Sequence, residues 1–188
     1  LFIAHETSAR FYKKDNSGKY VDVLQGGAVF QAGHAEKAGN SSCAAFVDYD
    51  HDGDLDLYVG RRDGIYGPLE DSLFRNQLSE TGTYGFFCTA FDSIETSGLF
   101  EGAPIPTSGV VWSDCDGDKL LEVAIVSSTL IATSKISIFE EISSGTYQQD
   151  RQLQTSSMGG FLRPIVNSSW TDVDRDGDLD LFLSTNTA

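Results

Sequence analysis

The stretch FVDYDHDGDLDLYV, residues 46–59, sets Asp48, Asp50, Asp52, Asp54 and Asp56 at alternate positions inside a run that otherwise reads as β-strand. Five like charges this close repel one another, so the arrangement calls for a counter-charge. The pattern recurs as VVWSDCDGDKLLEVAI at 110–125 and SSWTDVDRDGDLDLFL at 168–183. Aligned on Asp48, Asp114 and Asp172, each copy carries an aromatic residue two positions earlier, Phe46, Trp112 and Trp170.

A second signal repeats between these loops. FYKKDNSGKYVDV, LFRNQLSETGTYGFF and IFEEISSGTYQQD each read as an apolar strand, a polar turn and Gly-x-Tyr, with Gly18, Gly82 and Gly145 spaced by 64 and 63 residues. Two independent markers thus keep a period of about 63 residues, which signals a repeat architecture. Each unit reads as several short strands separated by Gly, Ser, Asn and Asp turns, with alternation at Leu55, Leu57, Val59 and at Ile136, Ile138. The expected fold is all-β, a β-propeller segment of about three blades of four antiparallel strands across residues 1–188. Closed propellers need about 4 to 8 blades, so three would not close alone. A chain that opens at Leu1 rather than Met is expected to be part of a longer protein, or to complete its ring with a partner.

Fourteen of the 28 acidic residues sit in the loops at 48–56, 114–122 and 172–180, so the net charge of −15 is local. Alternating carboxylates around a tight turn converge as hard oxygen ligands, which suits Ca²⁺ with its 6 to 8 oxygens. In the first loop the expected side-chain ligands are Asp48, Asp50, Asp52 and Asp56, with the Asp54 carbonyl as a fifth and Gly53 at the turn. The third loop repeats this with Asp172, Asp174, Asp176, Asp180, the Asp178 carbonyl and Gly177. The second offers Asp114, Asp116, Asp118 and Glu122, but Lys119 replaces the turn glycine and brings a positive charge, which makes it the weaker site. An EF-hand would place a bidentate Glu at position 12, and Val59, Ile125 and Leu183 stand there instead.

The D-x-D-x-D-G-D-x-D loops, the preceding aromatics, the LFRN strand with its Gly-x-Tyr turn and FEGAPIPTSGVVWSD at 100–114 resemble FG-GAP/VCBS repeats of the kind found in integrin α-subunit propellers. The resemblance covers nearly the whole chain and implies a ring of about seven blades with calcium loops on one rim. It also implies a non-enzymatic interaction module for a protein or glycan ligand, as in adhesion, with calcium structural. The alternatives are part of a polysaccharide-active enzyme on the same scaffold, or a structural subunit docking on a larger complex. Lys119 and Glu122 depart from the family pattern.

Other features are quieter. Only 13 Lys and Arg are scattered along the chain, which excludes nucleic acid as a partner, and no apolar run reaches the roughly 20 residues of a membrane helix. Weak extracellular-type calcium loops fill only in a calcium-rich setting, so the expected location is extracellular, or an organelle or periplasmic lumen, not the cytosol. Cys43, Cys88 and Cys115 show no metal spacing and read as buried thiols, with one disulfide plus one free thiol as the alternative. Phe46, Trp112 and Trp170, like Tyr20, Tyr84 and Tyr147, are expected to pack between blades. His5, His34 and His51 read as exposed, with His51 pointing to water, and Asn40 and Asn167 head glycosylation sequons.

Overall fold

The computed structural model describes residues 2–3, 10–22, 40–61, 63–64, 67–68, 71–82, 86–88, 106–127, 134–154 and 165–185. Strand-forming runs rich in Val, Ile, Phe and Tyr are cut by Asp- and Gly-bearing loops, and the result is a series of open antiparallel sheets. The first holds β1 (Phe2–Ile3), β2 (Arg10–Lys14) and β3 (Tyr20–Asp22). The second is a meander of β4 (Ser41–Val47), β5 (Asp56–Arg61), β8 (Ser72–Asn76) and β9 (Phe86–Cys88). A small hairpin of β6 (Asp63–Gly64) and β7 (Gly67–Pro68) and one short helix, α1 (Leu78–Thr81), are inserted in it.

The next sheet repeats the meander with β10 (Thr107–Ser113), β11 (Glu122–Ser127), β12 (Lys135–Ser143) and β13 (Thr146–Gln154). A hairpin of β14 (Ile165–Thr171) and β15 (Asp180–Thr185) follows. Register is conserved between the two meanders. Leu57 of β5 faces Phe74 of β8, and Val123 of β11 faces Phe139 of β12. The described residues thus hold two complete four-stranded units, flanked by a three-stranded sheet and a hairpin that matches the first two strands of a unit. Among the described residues no sheet closes on itself, and no helix is long and apolar enough to cross a membrane.

The sheets stack face to face. All six residues of β11 are buried because the strand is covered on both sides, the condition under which a strand loses its apolar and polar alternation. Its Val123 and Ile125 join Val47, Tyr58, Leu73 and Phe139 in a core between the two meanders. Its Ala124 and Val126, pointing the opposite way, pack with Ile136 and Ile165 against the β14–β15 hairpin. The first strands β4, β10 and β14 lie side by side, β10 in contact with both of the others.

The repeated aromatics do much of this packing. Trp112 stands edge-on to Tyr58 and Tyr147, with centroids 5.9 and 5.4 Å away. Trp170 packs on the second core. Phe46 departs from the expected packing: it is exposed, although its ring stands 6.0 Å from that of Phe11 in the first sheet. Tyr147 is buried as expected. Tyr20 is not: it is 53% exposed, with the Lys14 ammonium 5.5 Å from its ring. No described sheet covers that side of β3. Tyr84 lies outside the described residues, as do His5, His34 and residues 100–105. Neither Cys43 nor Cys115 forms a disulfide, and both are half-buried; the Cys88 side chain lies outside the described residues.

Candidate metal centre

Each acidic loop joins the first strand of a unit to the second, β4 to β5, β10 to β11 and β14 to β15. The three loops have one backbone design. Positions four and six are left-handed in all of them, as His51 and Gly53, Gly117 and Lys119, and Arg175 and Gly177. The second loop therefore exchanges the glycine between the two left-handed positions and keeps the turn. Lys119, at φ +77°, carries the strain that Gly53 and Gly177 avoid.

Internal hydrogen bonds repeat as well. The position-two N–H donates to the position-nine carboxylate, from Tyr49 to Asp56 at 3.3 Å, Cys115 to Glu122 at 2.7 Å and Val173 to Asp180 at 3.1 Å. The position-seven N–H donates to position five, from Asp54 to Asp52 at 3.0 Å, Leu120 to Asp118 at 2.8 Å and Asp178 to Asp176 at 3.0 Å. Asp48 takes N–H bonds from Asp52 and Gly53, and Asp114 takes them from Gly117 and Lys119.

This folding brings together positions one, three and nine in every loop. Asp48, Asp50 and Asp56 form one group, Asp114, Asp116 and Glu122 the second, and Asp172, Asp174 and Asp180 the third. Within each group the carboxylate oxygens lie within 4.8 Å of one another. Oxygens that share one metal ion at 2.3–2.6 Å stand at most about 5 Å apart, so each group is close enough to hold a metal ion. Glu122 stands at position nine of the second group, where the other two loops carry an aspartate. Asp118, Asp176 and Asp178 belong to none of the acidic groups among the described residues, and Asp52 and Asp54 gather with Glu80 instead.

Burial adds to the electrostatic load. Asp56 is fully buried, and loss of water pushes its carboxyl up to about 8, with Asp50 and Asp54 adding to the shift and the Asn76 and Tyr49 N–H groups opposing it. Asp50 is raised mainly by burial, against the pull of Arg75, and its Oδ1 is buried without a hydrogen-bond partner. Burial raises Glu122 also, and burial together with the Glu122 carboxylate beside it pushes the Cys115 thiol up to about 12. A divalent ion would reverse this balance by stabilising the ionised carboxylates.

Three residues that the sequence reading passed over hold the loops in place. Arg75 lies with Nε 2.8 Å from Asp50 Oδ2 and Nη2 2.6 Å from Glu80 Oε1. Asn76 donates its N–H to Asp56 at 2.7 Å and its side-chain amide to the Leu55 carbonyl at 3.1 Å. Glu141, fully buried at the matching place in the second meander, accepts N–H bonds from Leu121 and Gly145, each at 2.9 Å. The hint in the sequence was the shared LFRN and IFEE strand, whose last residue faces the loop in both units. His51 is exposed, as expected, but its ring has a partner: Nε2 lies 2.9 Å from Glu141 Oε2 of the neighbouring sheet.

Ser144 Oγ donates to the Asp50 carbonyl at 2.5 Å, and the Leu179 N–H donates to the Cys115 carbonyl at 3.0 Å. The first loop is thereby joined to the second sheet, and the third loop to the second loop. Phe46, Trp112 and Trp170 line one cleft between β4, β10 and β14. Asn40 and Asn167 are both exposed. A scan against protein-family models finds no match to this chain, and a search of curated proteins finds none either.

Proposed function

We propose that this chain is a segment of a calcium-stabilised β-propeller that serves as an interaction module for a protein or glycan, with calcium structural rather than catalytic. One observation carries the reading: an acidic triad recurs at positions one, three and nine of three loops, each joining the first two strands of a repeated sheet. The propeller reading is supported by the repeated meander, by the side-by-side first strands and by cores that lie between successive sheets. These are features of radially stacked blades, and they agree with the resemblance to FG-GAP/VCBS repeats.

The metal's role follows from placement. The first loop touches the turn of the next unit through Asp50 and His51, so an ion that orders the loop also orders the contact between units. Calcium would be held by Asp48, Asp50 and Asp56, by Asp114, Asp116 and Glu122, and by Asp172, Asp174 and Asp180. Such a module suits an extracellular or lumenal setting rich in calcium. At tenfold excess over its dissociation constant, each ion would add about 1.4 kcal/mol of stability. Thermal unfolding of the wild type and Asp50→Ala, in calcium and in chelator, tests this. The variant is expected to melt lower than wild type in calcium, with the difference shrinking in chelator. Equal losses in both conditions would overturn the metal reading.

A further inference from the structure

The loop between β8 and β9 differs from its counterpart. β12 and β13 are joined by the two-residue turn at Ser144 and Gly145, whereas β8 and β9 are joined through α1. The helix brings Ser79 and Glu80 beside the first acidic loop. Asp52, Asp54 and Glu80 then place carboxylate oxygens within 4.8 Å of one another, a group separate from Asp48, Asp50 and Asp56. Ser79 organises it, donating its N–H to Asp54 Oδ2 at 2.8 Å and its hydroxyl to Asp52 Oδ2 at 2.9 Å.

A cluster of acids alone is weak ground, since exposed carboxylates gather without any ion. Here one member is buried and incomplete. Asp54 is only 8% exposed, and its Oδ1 has no hydrogen-bond partner. A buried carboxylate oxygen left without donor or cation is costly. The positive group that faces the cluster, Arg75, lies 2.6 Å from Glu80 Oε1 and 3.4 Å from Asp52 Oδ2, and it is shared with Asp50. One guanidinium thus spans three carboxylates in two groups and leaves Asp54 Oδ1 uncompensated.

We propose that Asp52, Asp54 and Glu80 form a second calcium site of the first loop, so that this loop holds two ions. The inference rests on the calcium reading of the loops and goes beyond it. The second loop cannot repeat the site, because Leu120 stands where Asp54 does and the turn between β12 and β13, at Ser144 and Gly145, has no room for a helix. Hard anionic oxygens on a partly open turn favour calcium over softer metals.

Native mass spectrometry of the 188-residue chain in millimolar calcium, against Glu80→Gln and Asp54→Asn, tests the site. Glu80 is exposed, so Glu80→Gln leaves the fold intact, and Asp54→Asn keeps an acceptor for the Ser79 N–H. Each variant is expected to carry one calcium fewer than wild type. Equal, non-zero counts in all three proteins would overturn the second site and leave the loop reading standing. A wild-type chain that binds no calcium would overturn both.

Discussion

His51 and Glu141, 90 positions apart, meet with Nε2 2.9 Å from Oε2, and this contact fastens the first acidic loop to the buried carboxyl group that also organises the second. Glu141 serves three donors from three segments, and truncating it would leave the Leu121 and Gly145 N–H groups without their acceptor. Both N–H groups are half-buried, so each lost acceptor costs toward the low end of about 1–3 kcal/mol. Glu141→Ala is expected to lower unfolding free energy by about 2 kcal/mol in urea titration, and Glu141→Gln by less. An unchanged midpoint for the alanine variant would contradict the linking role.

The calcium-free protein should lose stability as pH rises. Burial raises the Asp56 carboxyl from 3.8 to about 8 and the Asp71 carboxyl from 3.8 to about 6. Both groups therefore hold protons more tightly folded than unfolded. Their contribution is complete below the unfolded value and disappears as pH climbs through 6 and then 8. In chelator, Tm is expected to fall between about pH 5 and pH 8.5. On the proposed reading calcium should flatten that fall, since an ion held by Asp56 would take the proton's place there, and Asp56→Asn should remove the portion near pH 8. A Tm that rises with pH in chelator would contradict this account.

Lys119→Gly should improve the second loop. The left-handed backbone at φ +77° strains a lysine and not a glycine. Relief of that strain, partly offset by the entropy of glycine, is expected to raise stability by about 1 kcal/mol. Removing the positive charge beside Asp118 should also tighten calcium binding at this loop, as calorimetric titration of wild type and variant would read. Weaker binding in the variant would show that Lys119 aids the site.

Gly60→Ala should weaken the junction between the two meanders without touching the metal. A Cβ at Gly60 would lie 2.4 Å from Cys43 Sγ and 2.7 Å from Thr107 Cγ2. Such crowding costs about 1–3 kcal/mol. The loss should be the same in calcium and in chelator, measured by thermal melting, which separates it from changes in the acidic loops.

Much of the architecture was legible in the chain itself. The five aspartates from Asp48 to Asp56 and their two echoes gave the period, and the alternating runs around Leu57 and Ile136 gave the strands. Both patterns are local: side chains alternate across a strand, and closely spaced carboxylates around a tight turn lie near one another whatever the rest of the chain does. The glycine turn positions Gly53 and Gly177 belong to the same order of information, whereas the fifth-position carboxylates, expected among the ligands, stand outside the groups of first, third and ninth residues.

Tertiary structure decided which carboxylates end up together and what neutralises them. Asp52 and Asp54 turned toward Glu80 because α1 supplies Ser79 as a donor, a partner 25 residues from Asp54. Glu141 reached across to His51, and Tyr20 stayed exposed while Tyr147 was buried, because only one of them has a sheet packed over it. The amino-acid sequence determined the repeat, the strands and the three acidic turns through short-range periodicity. Packing between sheets determined burial and pairing, since both depend on neighbours that lie far away along the chain.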